Sequence, residues 1–277
     1  MTIRTSHRFA LIVALAVPAV VVACGGAQTP GASSLAGATR APVDPNANAD
    51  IKVFADALGD VPLTPAQRSE VDKLASEADG RHTEITAARK ALELAIADQV
   101  DGGRIDVTAL APKIDALVAA VERTQAPDRA AFERLHAILD PDQRVAFANA
   151  VEAHARERME GVRPGGRMSE WADALKLTDD QRGRISALLM EHAKEAHLMD
   201  PGERGPHRGA KILGAFKGDR FVFDEVAPPQ DIRERVTGAT GRFLGVAAQV
   251  LPILTPEQRA AASQRLRSKA DSLGLGG

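Results

Sequence analysis

The sequence predicts an all-α protein, and three features of the chain support this fold class. Aromatic residues make up 3% of the 277 residues and tyrosine is absent, whereas β-sandwiches and barrels favour aromatic and β-branched residues. The apolar residues of the folded part are mostly Ala, Leu, Val and Ile, which suits helices. A six-residue box that starts a helix occurs four times, as LTPAQR, LDPDQR, LTDDQR and LTPEQR.

The beginning of the chain resembles a bacterial export signal. Arg4, His7 and Arg8 form a short basic start, and residues 9–22 are apolar. A basic start, an apolar run and small residues in that order are typical of a secretory signal. The apolar run is shorter than the roughly 20 residues that a membrane span needs, and it contains Pro18. We therefore expect export rather than a membrane-spanning helix.

Cys24 is the only cysteine, so it has no disulfide partner within the chain. It ends the sequence VVAC, which resembles the lipobox of bacterial lipoproteins, although the favoured lipobox begins with Leu. The resemblance implies a lipoprotein signal peptide at 1–23 and lipid on Cys24, which would anchor the protein on the periplasmic face of the cell envelope. Gly25 follows the cysteine at the position where an Asp would favour retention in the inner membrane, so the outer membrane is favoured. The alternative is an ordinary signal with a chance cysteine.

Residues 24–50 predict a flexible tether, because Gly, Pro and small residues dominate and almost nothing could build a core. Roughly 225 residues follow, enough for one large domain or two small ones. The sequence GVRPGGRMS divides them, and we predict a first helical unit at 51–162 and a second at 163–277.

Each box has the composition of a helix N-terminus. In the first box Thr64 is a good N-cap, Pro65 suits the first turn, and Gln67 completes the capping box S/T-x-x-E/Q. Leu63 precedes the cap, and because Arg68 cannot serve as its hydrophobic-staple partner, we expect Leu63 to pack on a neighbouring helix. The corresponding leucine, cap and glutamine are Leu139, Asp140 and Gln143 in the second box, Leu177, Thr178 and Gln181 in the third, and Leu254, Thr255 and Gln258 in the fourth.

The spacing of the boxes indicates an internal duplication. Leu63 and Leu139 lie 76 residues apart, and Leu177 and Leu254 lie 77 apart. The second pair repeats the first at offsets of 114 and 115 residues. The sequence therefore predicts two halves, each with an early and a late box.

Four helices are predicted in each half, with breaks expected at glycine and proline. Gly80 is expected to separate the first two helices, and Pro127 to kink or divide the third. The predicted helices are 64–79, 82–100, 108–138 and 140–160 in the first half, and 178–199, 208–216, 229–253 and 255–273 in the second.

The paired boxes resemble those of the periplasmic Spy/CpxP family. LTPAQRSEV and LTDDQRGRI are similar to the family's early-box region, and LDPDQRVAF and LPILTPEQR to its late-box region. Family members are small helical proteins that pair as antiparallel dimers in a thin, curved cradle. The resemblance implies two tandem four-helix units whose long helices form a curved pseudo-dimer within one monomeric chain.

The same resemblance implies a binding function. Known members act as ATP-independent chaperones, inhibit an envelope stress kinase, or sense or buffer metals. We therefore expect partners among unfolded or partly folded envelope proteins, or a sensor kinase domain. A structural envelope lipoprotein without a client is the plainer alternative, and the sequence alone does not separate the two.

Metal sensing or buffering is a further alternative, with His192, His197 and His207 as candidate ligands. His192 and His197 are five residues apart, so on one helix they diverge by more than a third of a turn. No phosphate-binding loop, H-E-x-x-H or G-x-S-x-G motif is present, so we expect neither an enzyme nor a cofactor. The net charge of -2 does not favour nucleic acid.

Overall fold

A computed structural model describes residues 49–161, 166–199, 206–229 and 231–273. Within these ranges the chain forms ten α-helices and one 3₁₀ turn and has no strand, which confirms the all-α fold class. No helix in the described part is long and apolar enough to cross a membrane. The predicted signal peptide, Cys24 and the tether as far as residue 48 lie outside the described residues.

The helices follow one another with short connections. Those before residue 162 are α1 (Ala49–Gly59), α2 (Pro65–Asp101), α3 (Val107–Ile138) and α4 (Pro141–Gly161). Those after it are α5 (Gly166–Ala174), α6 (Asp179–Met199), α7 (Pro206–Phe216), α8 (Phe223–Val226), α9 (Ile232–Val250) and α10 (Pro256–Ser272), with a 3₁₀ turn at Leu251–Ile253 between the last two.

Neither Gly80 nor Pro127 divides a helix, so the predicted separation of two helices at Gly80 is wrong. Helix α2 continues through Gly80, and α3 continues through both Pro112 and Pro127. The two helices pack against each other, and α2 also packs on α10 and α3 on α9. This burial offsets the cost of about 1 kcal/mol for a helical Gly and about 3 kcal/mol for a helical Pro. Helices α1, α5 and α8 were not predicted from the sequence.

The buried residues form two hydrophobic cores. The N core surrounds the first two boxes and also contains residues of α7, α8 and the turn between them. Its members are Val53, Ala57, Leu58, Val61, Val71, Leu74, Leu135, Leu139, Phe147 and Val151, together with Ile212, Phe216, Phe221, Phe223 and Ala227. We call the segment 206–227, which supplies the last five, the α7–α8 tip.

The C core surrounds the third and fourth boxes and includes the end of α2 and the start of α3. Its members are Leu92, Ile96, Val100, Leu110, Ile114, Leu117, Val118 and Val121, together with Ala172, Leu175, Leu177, Ile185, Leu189, Ile232, Val236, Leu244, Leu251, Leu254 and Ala262. We call the segment 89–121 the α2–α3 tip. Both cores therefore combine residues from 51–162 with residues from 163–277.

Candidate functional site

The four boxes share one capping geometry. In the first box the Gln67 backbone N–H donates to Thr64 Oγ1 at 3.3 Å, and the Thr64 backbone N–H donates to Gln67 Oε1 at 3.0 Å. The other three boxes have the same reciprocal bonds, between Asp140 and Gln143, Thr178 and Gln181, and Thr255 and Gln258. Each box therefore satisfies two of the backbone donors that a helix N-terminus leaves unpaired.

The leucines of the boxes enter the cores. Leu63 is half-buried against the N core, and Leu139 is a buried member of it. Leu177 and Leu254 are buried members of the C core. The leucine thus fixes each helix start to a core, as expected from the absence of a staple partner.

The glutamines also join the boxes in pairs, which the sequence did not predict. Gln67 Nε2 donates to Gln143 Oε1 at 2.7 Å, and Gln143 Nε2 donates to Gln67 Oε1 at 3.1 Å. Gln181 and Gln258 form the same reciprocal pair, at 2.8 and 3.0 Å. The early and late boxes of each half are therefore held together through their side-chain amides.

Each glutamine makes one further bond, to the carbonyl just before the leucine of its partner's box. The donors and acceptors are Gln67 and Ile138 at 2.8 Å, Gln143 and Pro62 at 2.7 Å, Gln181 and Ile253 at 2.8 Å, and Gln258 and Lys176 at 3.4 Å. Every amide consequently uses two N–H donors and two acceptor positions. Glu could cap a helix equally well but could not donate, so the occurrence of Gln in all four boxes was a signal for this role.

The arginine that ends a box contributes in three copies. Arg144 Nε donates to the Leu139 carbonyl at 2.9 Å, Arg182 Nε to the Leu177 carbonyl at 3.2 Å, and Arg259 Nη1 to the Leu254 carbonyl at 3.1 Å. These carbonyls lie where the preceding helix or turn has ended, so they have no intrahelical donor. The boxes are therefore junctions that organise helix ends, and the amide groups of their glutamines are fully bonded.

A surface that remains available lies between α6, α9 and the 3₁₀ turn, and we call it the α6–α9 groove. It has a volume of about 490 Å³ and is lined by Arg184, Ala187, Leu188, Glu191, Gln249, Pro252 and Ile253. Leu188 is half-buried and is not a member of the C core, so part of its apolar surface faces the groove. The groove offers an apolar floor with a charged residue near each end.

The corresponding place in the first half is covered by ion pairs. The repeat offsets match Leu188 with Leu74 and Gln249 with Arg134. Arg134 lies 3.3 Å from a Glu77 carboxylate oxygen and 3.8 Å from one of Glu70, and Leu74 is only 7% exposed. Because Gln249 carries no charge, it forms no such ion pair across the α6–α9 groove, and its described polar contact on α6 is with His192 beside the groove.

The candidate metal ligands do not form a described cluster. His192 lies beside the groove, with its Nε2 atom 3.0 Å from Gln249 Nε2. The side chains of His197 and His207 are outside the described part of the chain. Among described residues, no three His, Cys, Asp or Glu side chains are grouped to hold a metal ion.

Shifted pKa values occur at helix N-termini. The Ala109 backbone N–H donates to the Asp106 carboxylate and lowers its pKa, with Arg104 acting in the same direction. The Glu257 backbone N–H and the Thr255 hydroxyl lower the pKa of Glu257 in the fourth box. Both shifts follow from charge-stabilising donors at a helix start, so they belong to helix capping.

Comparison with protein-family models, with curated proteins and with solved structures finds no match for this chain.

Proposed function

We propose that this protein is an envelope lipoprotein that holds exposed apolar segments of unfolded or partly folded envelope proteins without using ATP. The α6–α9 groove carries the proposal, because it is an open apolar surface whose counterpart in the first half is bridged by Arg134. Leu188, Pro252 and Ile253 would contact the client.

The size of the groove favours brief and reversible binding. A volume of about 490 Å³ accommodates one or two side chains of a client rather than a folded domain. Burying one large apolar side chain contributes about 1.5–3 kcal/mol, and the ordering of the client opposes this gain. Weak binding of this kind suits a protein that must release its clients without an energy source.

The proposal includes the pseudo-dimer and the lipid anchor. The mixed composition of both cores supports a single chain in which each half takes the place of a dimer partner, as the Spy/CpxP resemblance implies. Lipid on Cys24 would hold this body at the outer membrane. Replacement of Cys24 by Ser should move the protein from the membrane fraction to the soluble fraction of cells, and unchanged membrane association would contradict the anchor.

An aggregation assay tests the binding function. The chain from residue 24 onward with Cys24→Ser should suppress aggregation of a chemically unfolded client at several-fold excess and without ATP. Leu188→Ser should weaken client binding about tenfold, since it removes roughly 1.4 kcal/mol of apolar contact.

Met190→Ser is the matched control for that experiment. Met190 is on the same helix and is 46% exposed, but it does not line the groove. The control should suppress aggregation as well as the parent protein does. No suppression by the parent, or equal loss in both variants, would exclude the groove as the client site.

A further inference from the structure

Resting on the proposed function, we infer that the α6–α9 groove selects client segments in which one apolar residue stands between an acidic and a basic residue. Arg184 and Glu191 both line the groove and are seven residues apart on α6. Two helical turns separate them by about 10 Å. Ala187 and Leu188 lie between them along the same helix, so the apolar floor has a cation near one end and a carboxylate near the other.

The opposite wall leaves these two charges available to a client. It is formed by Gln249, Pro252 and Ile253, none of which is charged. The ion pair of Arg184 with Asp180 is long, at 3.8 Å, and both side chains are more than half exposed. An exposed pair of this kind contributes at most about 1 kcal/mol, so Arg184 can turn to a client carboxylate at little cost.

The first half shows a different charge pattern at the matching place. Glu70 and Glu77 occupy the positions that correspond to Arg184 and Glu191, and both lie within 4 Å of Arg134 on the facing helix. That half therefore combines two acids with a bridging cation. The second half combines one cation and one acid with a neutral wall, and this arrangement complements a segment of opposite charge order.

An extended polypeptide fits the distance between the two charges. Side chains two residues apart in an extended segment point to the same side, with a rise of about 3.3 Å per residue. An acid and a base placed two residues before and after a central Leu therefore face the groove about 13 Å apart. Their flexible side chains can reach Arg184 and Glu191 while the Leu contacts Leu188 and Ile253. The client segment can bind in either chain direction, with its acidic or its basic residue first in its sequence.

Fluorescence anisotropy with labelled nine-residue peptides tests the inference. Three peptides carry a central Leu flanked at two residues' distance by one Asp and one Lys, by two Asp, or by two Lys. A fourth carries the Asp and Lys around a central Gly. The mixed-charge Leu peptide should bind about fivefold more tightly than either like-charged peptide. This difference is the one expected when a repulsion replaces one exposed ion pair between the peptide and the groove.

Charge-reversal variants sharpen the test. Arg184→Glu should transfer the preference to the peptide with two Lys, and Glu191→Arg should transfer it to the peptide with two Asp. Lys113→Glu and Asp72→Arg change the net charge equally at exposed positions that do not line the groove. These two controls should keep the parent's preference.

The possible results separate this inference from the proposed function. If the mixed-charge Leu peptide binds no better than the Gly peptide, the groove is not an apolar site, and both the proposed function and the inference that rests on it are overturned. If all three Leu peptides bind equally and the reversal variants transfer no preference, only charge selection is overturned. A transferred preference in the two groove variants and in neither control supports the inference.

Discussion

The side-chain amide of each box glutamine caps its own helix, pairs with the glutamine of the partner box and binds the carbonyl just before that box. Its Oε1 atom accepts from the N-cap backbone and from the partner glutamine, and its Nε2 atom donates to that partner and to a carbonyl. Gln143 and Gln181 are buried. A buried amide with every donor and acceptor paired is sensitive to substitution, because any loss leaves a polar group without a partner.

Gln143→Glu should lower the free energy of unfolding by about 1–3 kcal/mol, since the carboxylate cannot donate to the Pro62 carbonyl or to Gln67 Oε1, which keeps only its bonds from Thr64. Urea denaturation followed by circular dichroism measures the change. Gln264→Glu on the exposed side of α10 is the control and should change stability by less than about 0.5 kcal/mol. Equal stability of the two variants would show that the glutamine pair does not hold the boxes together.

At the scale of elements, α2 is a 37-residue helix that tolerates a glycine in its interior. A Cβ atom added at Gly80 would meet nothing within 4 Å. The position therefore has the entropic cost of glycine without a structural need for it. Gly103 differs, because its φ is +75° and a Cβ atom there would lie 3.1 Å from Arg259 Nε.

Gly80→Ala should stabilise the protein by about 0.5–1 kcal/mol, because alanine loses less backbone freedom in a helix. Gly103→Ala should instead destabilise it by about 1–2 kcal/mol, because an L-residue disfavours a left-handed conformation. Thermal unfolding of the two variants beside the parent measures both effects. A destabilising Gly80→Ala would indicate that α2 bends or breaks at Gly80 in solution.

The N-terminus of α3 should make stability depend on pH. Capping lowers the pKa of Asp106 in the folded state, so its contribution is present above the unfolded value of about 3.9 and is lost as the pH falls. Asp106→Asn keeps a good cap but does not titrate. The fall in urea midpoint from pH 7 to pH 3 should therefore be smaller in Asp106→Asn than in the parent. An identical fall would exclude Asp106 as a contributor.

The sequence predicted the helix starts better than the helix breaks and the contacts. Thr64 and Asp140 cap where expected because capping depends on residues within one turn. Gly80 and Pro127 do not divide their helices, because packing between distant helices offsets their local cost. The α6–α9 groove depends on Gln249, which comes 65 residues after Arg184 in the chain. No local pattern could place those two residues together.

At the scale of the whole molecule, the halves meet at two joints of different chemistry. The charged joint attaches the α2–α3 tip to α10. Lys269 Nζ lies 3.0 Å from the buried Glu93 carboxylate, and Arg267 Nη2 lies 2.8 Å from that of Asp98. Ser263 Oγ also donates to the Ala97 carbonyl at 2.8 Å. In these two ion pairs the acids come from the first half and the cations from the second, whereas a third pair, Lys90 Nζ with Asp271 at 3.2 Å, has its cation in the first half.

The aromatic joint attaches the α7–α8 tip to the N core. Its rings have neighbouring centroids 4.9–6.5 Å apart and come equally from the two halves: Phe54, Phe132 and Phe147 from the first, and Phe216, Phe221 and Phe223 from the second. His136 joins this cluster, and its Nε2 atom donates to the Gly218 carbonyl at 2.8 Å. Apolar burial and ring packing stabilise this joint.

The ion pair between Asp98 and Arg267 in the charged joint favours one pairing of the halves over the other. If the α2–α3 tip packed on α4 instead of α10, Asp98 would face Glu152, the residue 115 positions before Arg267. That contact would replace an attraction by a repulsion. At this contact, pairing of unlike halves is therefore favoured over pairing of like halves, by at most about 1 kcal/mol for an exposed ion pair.

Crosslinking between the α2–α3 tip and α10 tests most directly the claim that each half completes the core of the other. In a Cys24→Ser background, Asp98→Cys with Arg267→Cys should react with a short bismaleimide within one chain, at a rate independent of protein concentration. Asp98→Cys with Glu152→Cys should give no such product. A crosslink in the second variant but not in the first would mean that each half folds on itself, and would contradict the account.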